Sequence, residues 1–197
     1  MTTELPFNER LSEALTYAVR AHHGQFRKGT SIPYISHLLA VSSLVMEHGG
    51  NEDQAIAALL HDVLEDCGAY HEAAIRAQFG DAVADIVLGC TDATADEKRD
   101  QGGWYARKEA YVAHLREAPA ATLLVSACDK LHNARAIASD FATLGDALFE
   151  RFNAKKDGTQ WYYRALNTVF TERLAGTPLA RELAEAIDRF APLKAVD

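Results

Sequence analysis

One stretch constrains this chain more than any other: Ala57-Ala58-Leu59-Leu60-His61-Asp62-Val63-Leu64-Glu65-Asp66. Its first half is apolar on every side, which suits a helix buried in the middle of a domain. Four polar groups then arrive together. His61 and Glu65 stand four residues apart, as do Asp62 and Asp66, so a continuous helix would set all four along one face. Gly68 is the expected C-cap, which puts Glu65 and Asp66 in the last turn. Carboxylates there meet the negative end of the helix dipole, at a typical cost of about 0.3–1 kcal/mol each. A carboxylate after Ala-Ala-Leu-Leu is also expected to be desolvated, which is costly without a partner. A divalent cation held by the adjacent His-Asp pair would remove both costs. The plain alternative is a helix end whose acids reach water.

The rest of the chain reads as helices of ordinary length. Asn8 caps a helix from Glu9 to about His23, with Leu11, Ala14, Leu15 and Ala18 on its buried side. Gly24 to Ser31 is a basic loop bracketed by glycines. Pro33 is expected to open a second helix carrying His37, Leu38, Val41, Leu44 and Val45, ended by Gly49-Gly50. Asn51 caps the central helix. Shorter helices follow from His71 to Phe79 and, after Gly80-Asp81, through Val83, Ile86, Val87 and Leu88. Thr91 to Gly103 is polar and is the best candidate for a mobile loop or lid. Helical periodicity returns from Trp104 to Leu115. The apolar run Thr122 to Cys128 has no alternating partner strand, so it is expected to be a buried helix that leads into Asp129-Lys130-Leu131-His132-Asn133-Ala134-Arg135. Helices over roughly Gly158 to Leu174 and Leu179 to Phe190 complete an all-α domain with no convincing internal boundary.

Composition narrows the partners. Net charge is −8, which argues against nucleic acid and requires a local basic pocket for any anionic ligand. Cys67, Cys90 and Cys128 form no zinc spacing and no disulfide framework, so a reducing cytoplasm is expected. No signal peptide or membrane span is legible.

Three polar points interrupt apolar helices: His37, the His61-Asp62 pair and Asp129. Singly, a histidine on a helix is more often a hydrogen-bonded core residue. Together they make a mixed nitrogen and oxygen ligand set suited to Mn²⁺, Fe²⁺ or Zn²⁺. The pattern His37…His61-Asp62…Asp129 resembles the HD-domain metal-dependent phosphohydrolases. The flanking segments Ala21-His22-His23-Gly24-Gln25-Phe26-Arg27-Lys28, Pro33-Tyr34-Ile35-Ser36-His37, Phe79-Gly80 and Asp129 to Arg135 resemble the hydrolase domain of the RelA/SpoT alarmone enzymes. They are similar as well to the stand-alone small alarmone hydrolases of the Mesh type. The resemblance covers about residues 9–174, within a single HD-domain helical bundle spanning 1–197 on which the C-terminal helix 179–190 packs.

The resemblance implies roles residue by residue. His37, His61, Asp62 and Asp129 match the ligands of one Mn²⁺ ion. Glu65 and Asp66 match an acidic pair that activates or orients the attacking water. Arg27 and Lys28 match the loop that holds the nucleotide phosphates, Asn133 a residue near the substrate and Lys108, loosely, a lysine that contacts phosphate. Leu38 stands where the family usually has proline, and the later arginine and tyrosine contacts have no single match among Lys155, Lys156, Trp161, Tyr162 and Tyr163. Trp161-Tyr162-Tyr163 is itself better read as helix packing than as a base-stacking platform.

The implied activity is Mn²⁺-dependent removal of the 3′-pyrophosphate from guanosine alarmones of the stringent response, (p)ppGpp to GDP or GTP plus pyrophosphate. The alternatives are the adenosine counterparts, an HD-type nucleotidase or NADPH 2′-phosphatase, and a non-enzymatic nucleotide-sensing module.

Overall fold

The computed structural model describes residues 8–93 and 103–192. Most of the segment expected as a mobile loop or lid lies outside the described residues. Within them every regular element is helical, apart from one isolated bridge between Phe26 and Pro33. In chain order the α-helices are α1 (Glu9–Ala21), α2 (Ile35–Glu47), α3 (Glu52–Leu60), α4 (Val63–Asp66), α5 (His71–Phe79), α6 (Asp81–Cys90), α7 (Trp104–Glu117), α8 (Ala120–Leu144), α9 (Lys155–Arg173) and α10 (Pro178–Asp188). A 3₁₀ segment, Gly145–Arg151, joins α8 to α9.

The chain divides into two compact units. The first comprises α1 to α6 and the opening of α8 through Cys128. The second comprises α7, α8 from Asp129, the 3₁₀ segment, α9 and α10.

The first unit is built around α3. Asn51 starts this helix with a reciprocal cap: its side chain accepts from the Gln54 N–H, and the Gln54 side chain accepts from the Asn51 N–H. Ala55 to Leu60 are all buried, as the apolar run required. The helix packs against α1, α2 and α6. Full burial of side chains such as Ile56 and Leu60 contributes about 1.5–3 kcal/mol each. Arg10 fastens α1 to this core, reaching Glu52 at 3.1 Å, Asp53 at 2.7 Å and the Phe79 carbonyl at 2.9 Å.

Helix α6 seats the first half of α8. A Cβ on Gly89 would come within 2.6 Å of Thr122 Cγ2, so only glycine permits this approach. Cys90 Sγ lies 3.5 Å from Ser126 Oγ one turn further along α8. Cys128 is buried as a small core residue, and all three cysteines are free thiols.

In the second unit α9 packs against α7 and α10. Tyr162 and Tyr163 are buried on α9, and Trp161 meets Tyr105 with ring centroids 5.4 Å apart. These aromatics serve helix packing. The C-terminal helix is held at its start by Thr177, whose side chain accepts from the Ala180 N–H, and it packs on α9.

Two local expectations need correction. Pro33 does not open α2. It pairs with Phe26, and the Tyr34 N–H is given to the Gln25 carbonyl, so the chain stays in a hairpin until Ile35. The central stretch is also not one helix. Helix α3 ends at Leu60, and the single turn α4 begins at Val63. His61 Nδ1 bonds the Ala58 carbonyl at 2.8 Å, in competition with the backbone N–H that would continue the helix.

Candidate metal centre

The break at His61 shapes the site. A carbonyl oxygen can only accept, so the His61 Nδ1 must donate to Ala58. That leaves Nε2 as the other pole of the ring, in the orientation typical of a metal-binding histidine. Nε2 faces Asp62 Oδ2 at 3.0 Å. A ring nitrogen and a carboxylate oxygen at that distance are held together by a proton or by a shared cation.

His37 approaches from α2. Its ring meets that of His61 edge-on, with centroids 5.3 Å apart, and its Nε2 lies 3.5 Å from the same Asp62 oxygen. Asp129 follows Cys128 directly on the unbroken helix α8, whose first half is seated by α6. His37, His61 and Asp129 each offer one ligand atom, and these atoms lie within 4.8 Å of one another. All three residues are buried, with whole-residue exposures of 1%, 2% and 5%. Two imidazoles and a carboxylate, with Asp62 beside them, fit a divalent transition metal.

The remaining expected residues fall as follows. Glu65 and Asp66 sit on α4, immediately beyond the His61-Asp62 turn. Glu65 is half-buried and Asp66 is exposed. The dipole argument for a cation therefore lapses, because a one-turn helix has little macrodipole to oppose them. The desolvation argument applies instead to His37, His61 and Asp129.

Arg27 and Lys28 occupy the tip of the hairpin between α1 and α2. The Arg27 N–H donates to the Ile32 carbonyl at 2.8 Å, and the Thr30 N–H returns to the Arg27 carbonyl at 3.0 Å. Gly29 supplies the positive φ of 73° that this turn needs. In the second unit, Asn133 Nδ2 donates to Asp129 Oδ1 at 2.6 Å, and the Lys108 ammonium lies 5.0 Å from the centre of the Tyr162 ring.

Sequence reasoning missed two residues. The Tyr34 hydroxyl donates to Asp62 Oδ2 at 2.6 Å. Its ring stacks on the buried His22 with centroids 5.0 Å apart. Because Tyr34 also closes the base of the hairpin, one residue joins the basic loop to the Asp62 carboxylate. The second is Lys130, whose ammonium lies 2.6 Å from Asp129 Oδ2. Burial pulls the Lys130 pKa down, but the Asp129 carboxylate reverses this and holds it well above the ordinary lysine value.

A relative from Haemophilus influenzae, named guanosine-3′,5′-bis(diphosphate) 3′-pyrophosphohydrolase, is 36% identical over 125 residues, covering 60% of this chain and 17% of its own. The bifunctional (p)ppGpp synthase/hydrolase SpoT of Escherichia coli K12 is 33% identical over 145 residues, or 70% of this chain and 20% of its own. The chain thus spans about a fifth of the length of these curated relatives. Among solved structures, a metazoan ortholog of SpoT described as hydrolysing ppGpp superposes with a TM-score of 0.77 at 24% identity, over 97% of this chain and 100% of that one. The Listeria monocytogenes protein lmo0812 gives 0.69 at 27% identity, over 83% and 99%. The model of the HD domain matches residues 14–160, which take in His37, the His61-Asp62 pair and Asp129, and on that match the chain belongs to the HD domain family.

Proposed function

We propose that this chain is a divalent-metal-dependent 3′-pyrophosphohydrolase acting on guanosine alarmones, with Mn²⁺ as the ion. The observation that carries the reading is the buried convergence of His37, His61 and Asp129, with Asp62 against both imidazoles and an acidic pair one turn beyond. The names of the similar proteins support the substrate class: a nucleotide with a diphosphate on the ribose 3′-oxygen. His37, His61, Asp62 and Asp129 would hold the ion. When bound, it supplies a Lewis acid that polarises a phosphoryl oxygen and makes water a better nucleophile near neutral pH.

The chain's own residues do the rest. His61 is oriented by the Ala58 carbonyl and Asp62 by the Tyr34 hydroxyl, so neither must reorganise during turnover. A carboxylate oxygen of Glu65 or Asp66 takes the proton of the attacking water, a role typically worth about 10²–10⁴-fold. Arg27 and Lys28 clamp the diphosphate and offset the charge that develops on it. Water attacks the phosphorus bonded to the ribose 3′-oxygen. The bond from that phosphorus to the 3′-oxygen breaks, the oxygen regains a proton, and pyrophosphate leaves as a unit. The chain is acidic overall, so the hairpin is the local positive site that an anionic substrate requires.

The test is a nucleotide panel with Mn²⁺, analysed for pyrophosphate against orthophosphate. The reading predicts pyrophosphate from guanosine 3′-diphosphates. Orthophosphate as the first product would support a nucleotidase or NADPH 2′-phosphatase instead, and turnover confined to adenosine 3′-diphosphates would change the base.

A further inference from the structure

Asp129 is asked to bind a cation, yet both of its oxygens already accept bonds. Asn133 donates to Oδ1 at 2.6 Å, and Lys130 donates to Oδ2 at 2.6 Å. The asparagine contact is the ordinary meeting of residues four apart on a helix. The lysine contact is not. Neighbours in sequence point about 100° apart on a helix and do not normally meet. Lys130 must therefore turn back along α8 to reach its own neighbour.

Its surroundings keep it there. The side chain is only 15% exposed, and the ammonium lies 5.4 Å from the centre of the Tyr111 ring, a cation–π contact. An exposed lysine would spend its charge in water. This one spends it on a carboxylate that is 7% exposed and belongs to the candidate ligand set.

We infer that Lys130 is a positioning residue of the metal centre, a built-in counter-ion that occupies the Asp129 carboxylate and lowers the affinity of the site for a divalent cation. The inference rests on the metal centre proposed above. Two effects act in the same direction. In the metal-free protein Lys130 gives this buried carboxylate a counter-charge, which stabilises the state without metal. In the loaded protein its positive charge opposes the ion held by the same carboxylate. Removing the charge should therefore destabilise the metal-free fold and tighten metal binding. That combination separates the inference from a purely structural role, which would lower stability and leave metal affinity where it was. It also separates it from a simple orienting role, which would weaken metal binding.

The experiment strips the whole chain of metal with a chelator, titrates it with Mn²⁺, and records thermal melts with and without the ion. Lys130→Met and Lys130→Gln should bind Mn²⁺ about tenfold more tightly than wild type or better, with a lower metal-free Tm and a larger rise in Tm on adding Mn²⁺. Lys130→Arg, which keeps the charge, should return the affinity to that of wild type. Should Lys130→Met fail to fold without metal, Lys130→Gln keeps a donor at that place and carries the comparison with Lys130→Arg. Unchanged or weaker Mn²⁺ binding in the neutral variants overturns the inference. The readout needs no substrate. A wild-type chain that binds Mn²⁺ but turns over no nucleotide removes the proposed function and leaves this inference standing, whereas a wild-type chain that binds no Mn²⁺ removes it.

Discussion

Replacing Tyr34 with phenylalanine removes one oxygen atom and tests how the metal centre is held. The hydroxyl donates to Asp62 Oδ2 at 2.6 Å, the same oxygen that faces His61 Nε2 at 3.0 Å. Phenylalanine keeps the stack on His22 and the edge contact with His37, whose centroids lie 5.0 Å and 5.6 Å away. It keeps the backbone bond from Tyr34 to Gln25 as well, so the hairpin should stay closed. What is lost is a hydrogen bond to a charged group, typically about 1.5–3 kcal/mol. The Asp62 side chain is 16% exposed, so water makes up part of this and the lower end of the range is expected. Each 1.4 kcal/mol is about tenfold, so Mn²⁺ affinity should fall by about tenfold. Titration of metal-free protein measures this directly. At saturating Mn²⁺ the KM for substrate should hardly move, because Arg27 and Lys28 keep their places. Mn²⁺ affinity within about twofold of wild type would refute the argument that Tyr34 orients Asp62.

Other perturbations separate the parts of the site. Glu65→Gln should keep fold and metal but lose turnover by about 10²-fold or more if Glu65 is the proton acceptor, and wild-type rates in both Glu65→Gln and Asp66→Asn would remove the pair from the chemistry. Alanine at both Arg27 and Lys28 should chiefly raise KM and flatten the dependence of kcat/KM on ionic strength; an unchanged KM would return the hairpin to an ordinary solvated turn. His71 is a pH probe away from the site. Burial, with a smaller contribution from His22, lowers its pKa below the ordinary 6.5, and its Nδ1 lies 2.6 Å from the Tyr17 hydroxyl. The folded chain therefore favours the neutral ring, and below about pH 6.5 the unfolded chain binds more protons. Stability should fall as pH drops through that region, and denaturant melts of His71→Gln should show a shallower fall.

Much of the fold was legible because local and tertiary signals agree. Asn8 and Asn51 sit where side-chain caps are formed, and the apolar run before His61 is the buried helix it promised to be. The candidate ligand residues stood out as polar interruptions of apolar helices, and Asn133 meets Asp129 through simple helical spacing. The failures have physical causes. Nothing between Leu60 and Val63 is a glycine or proline, so no breaker announced the turn there; an imidazole bonded to a backbone carbonyl makes it. Pro33 carried the usual mark of a helix start, but pairing with Phe26 claimed it first. Tyr34 and Lys130 were invisible for different reasons. The first reaches Asp62 across 28 positions of sequence, and the second bonds a neighbour that helix geometry normally turns away.

The most direct test of the central claim is hydrolysis of a guanosine 3′-diphosphate by the Mn²⁺-loaded chain in ¹⁸O-water, followed by mass analysis of both products. Attack on the phosphorus bonded to the ribose 3′-oxygen predicts one ¹⁸O in the released pyrophosphate and none in the nucleoside. Orthophosphate as the first product, label in the ribose hydroxyl, or no turnover of the 3′-diphosphate would contradict it.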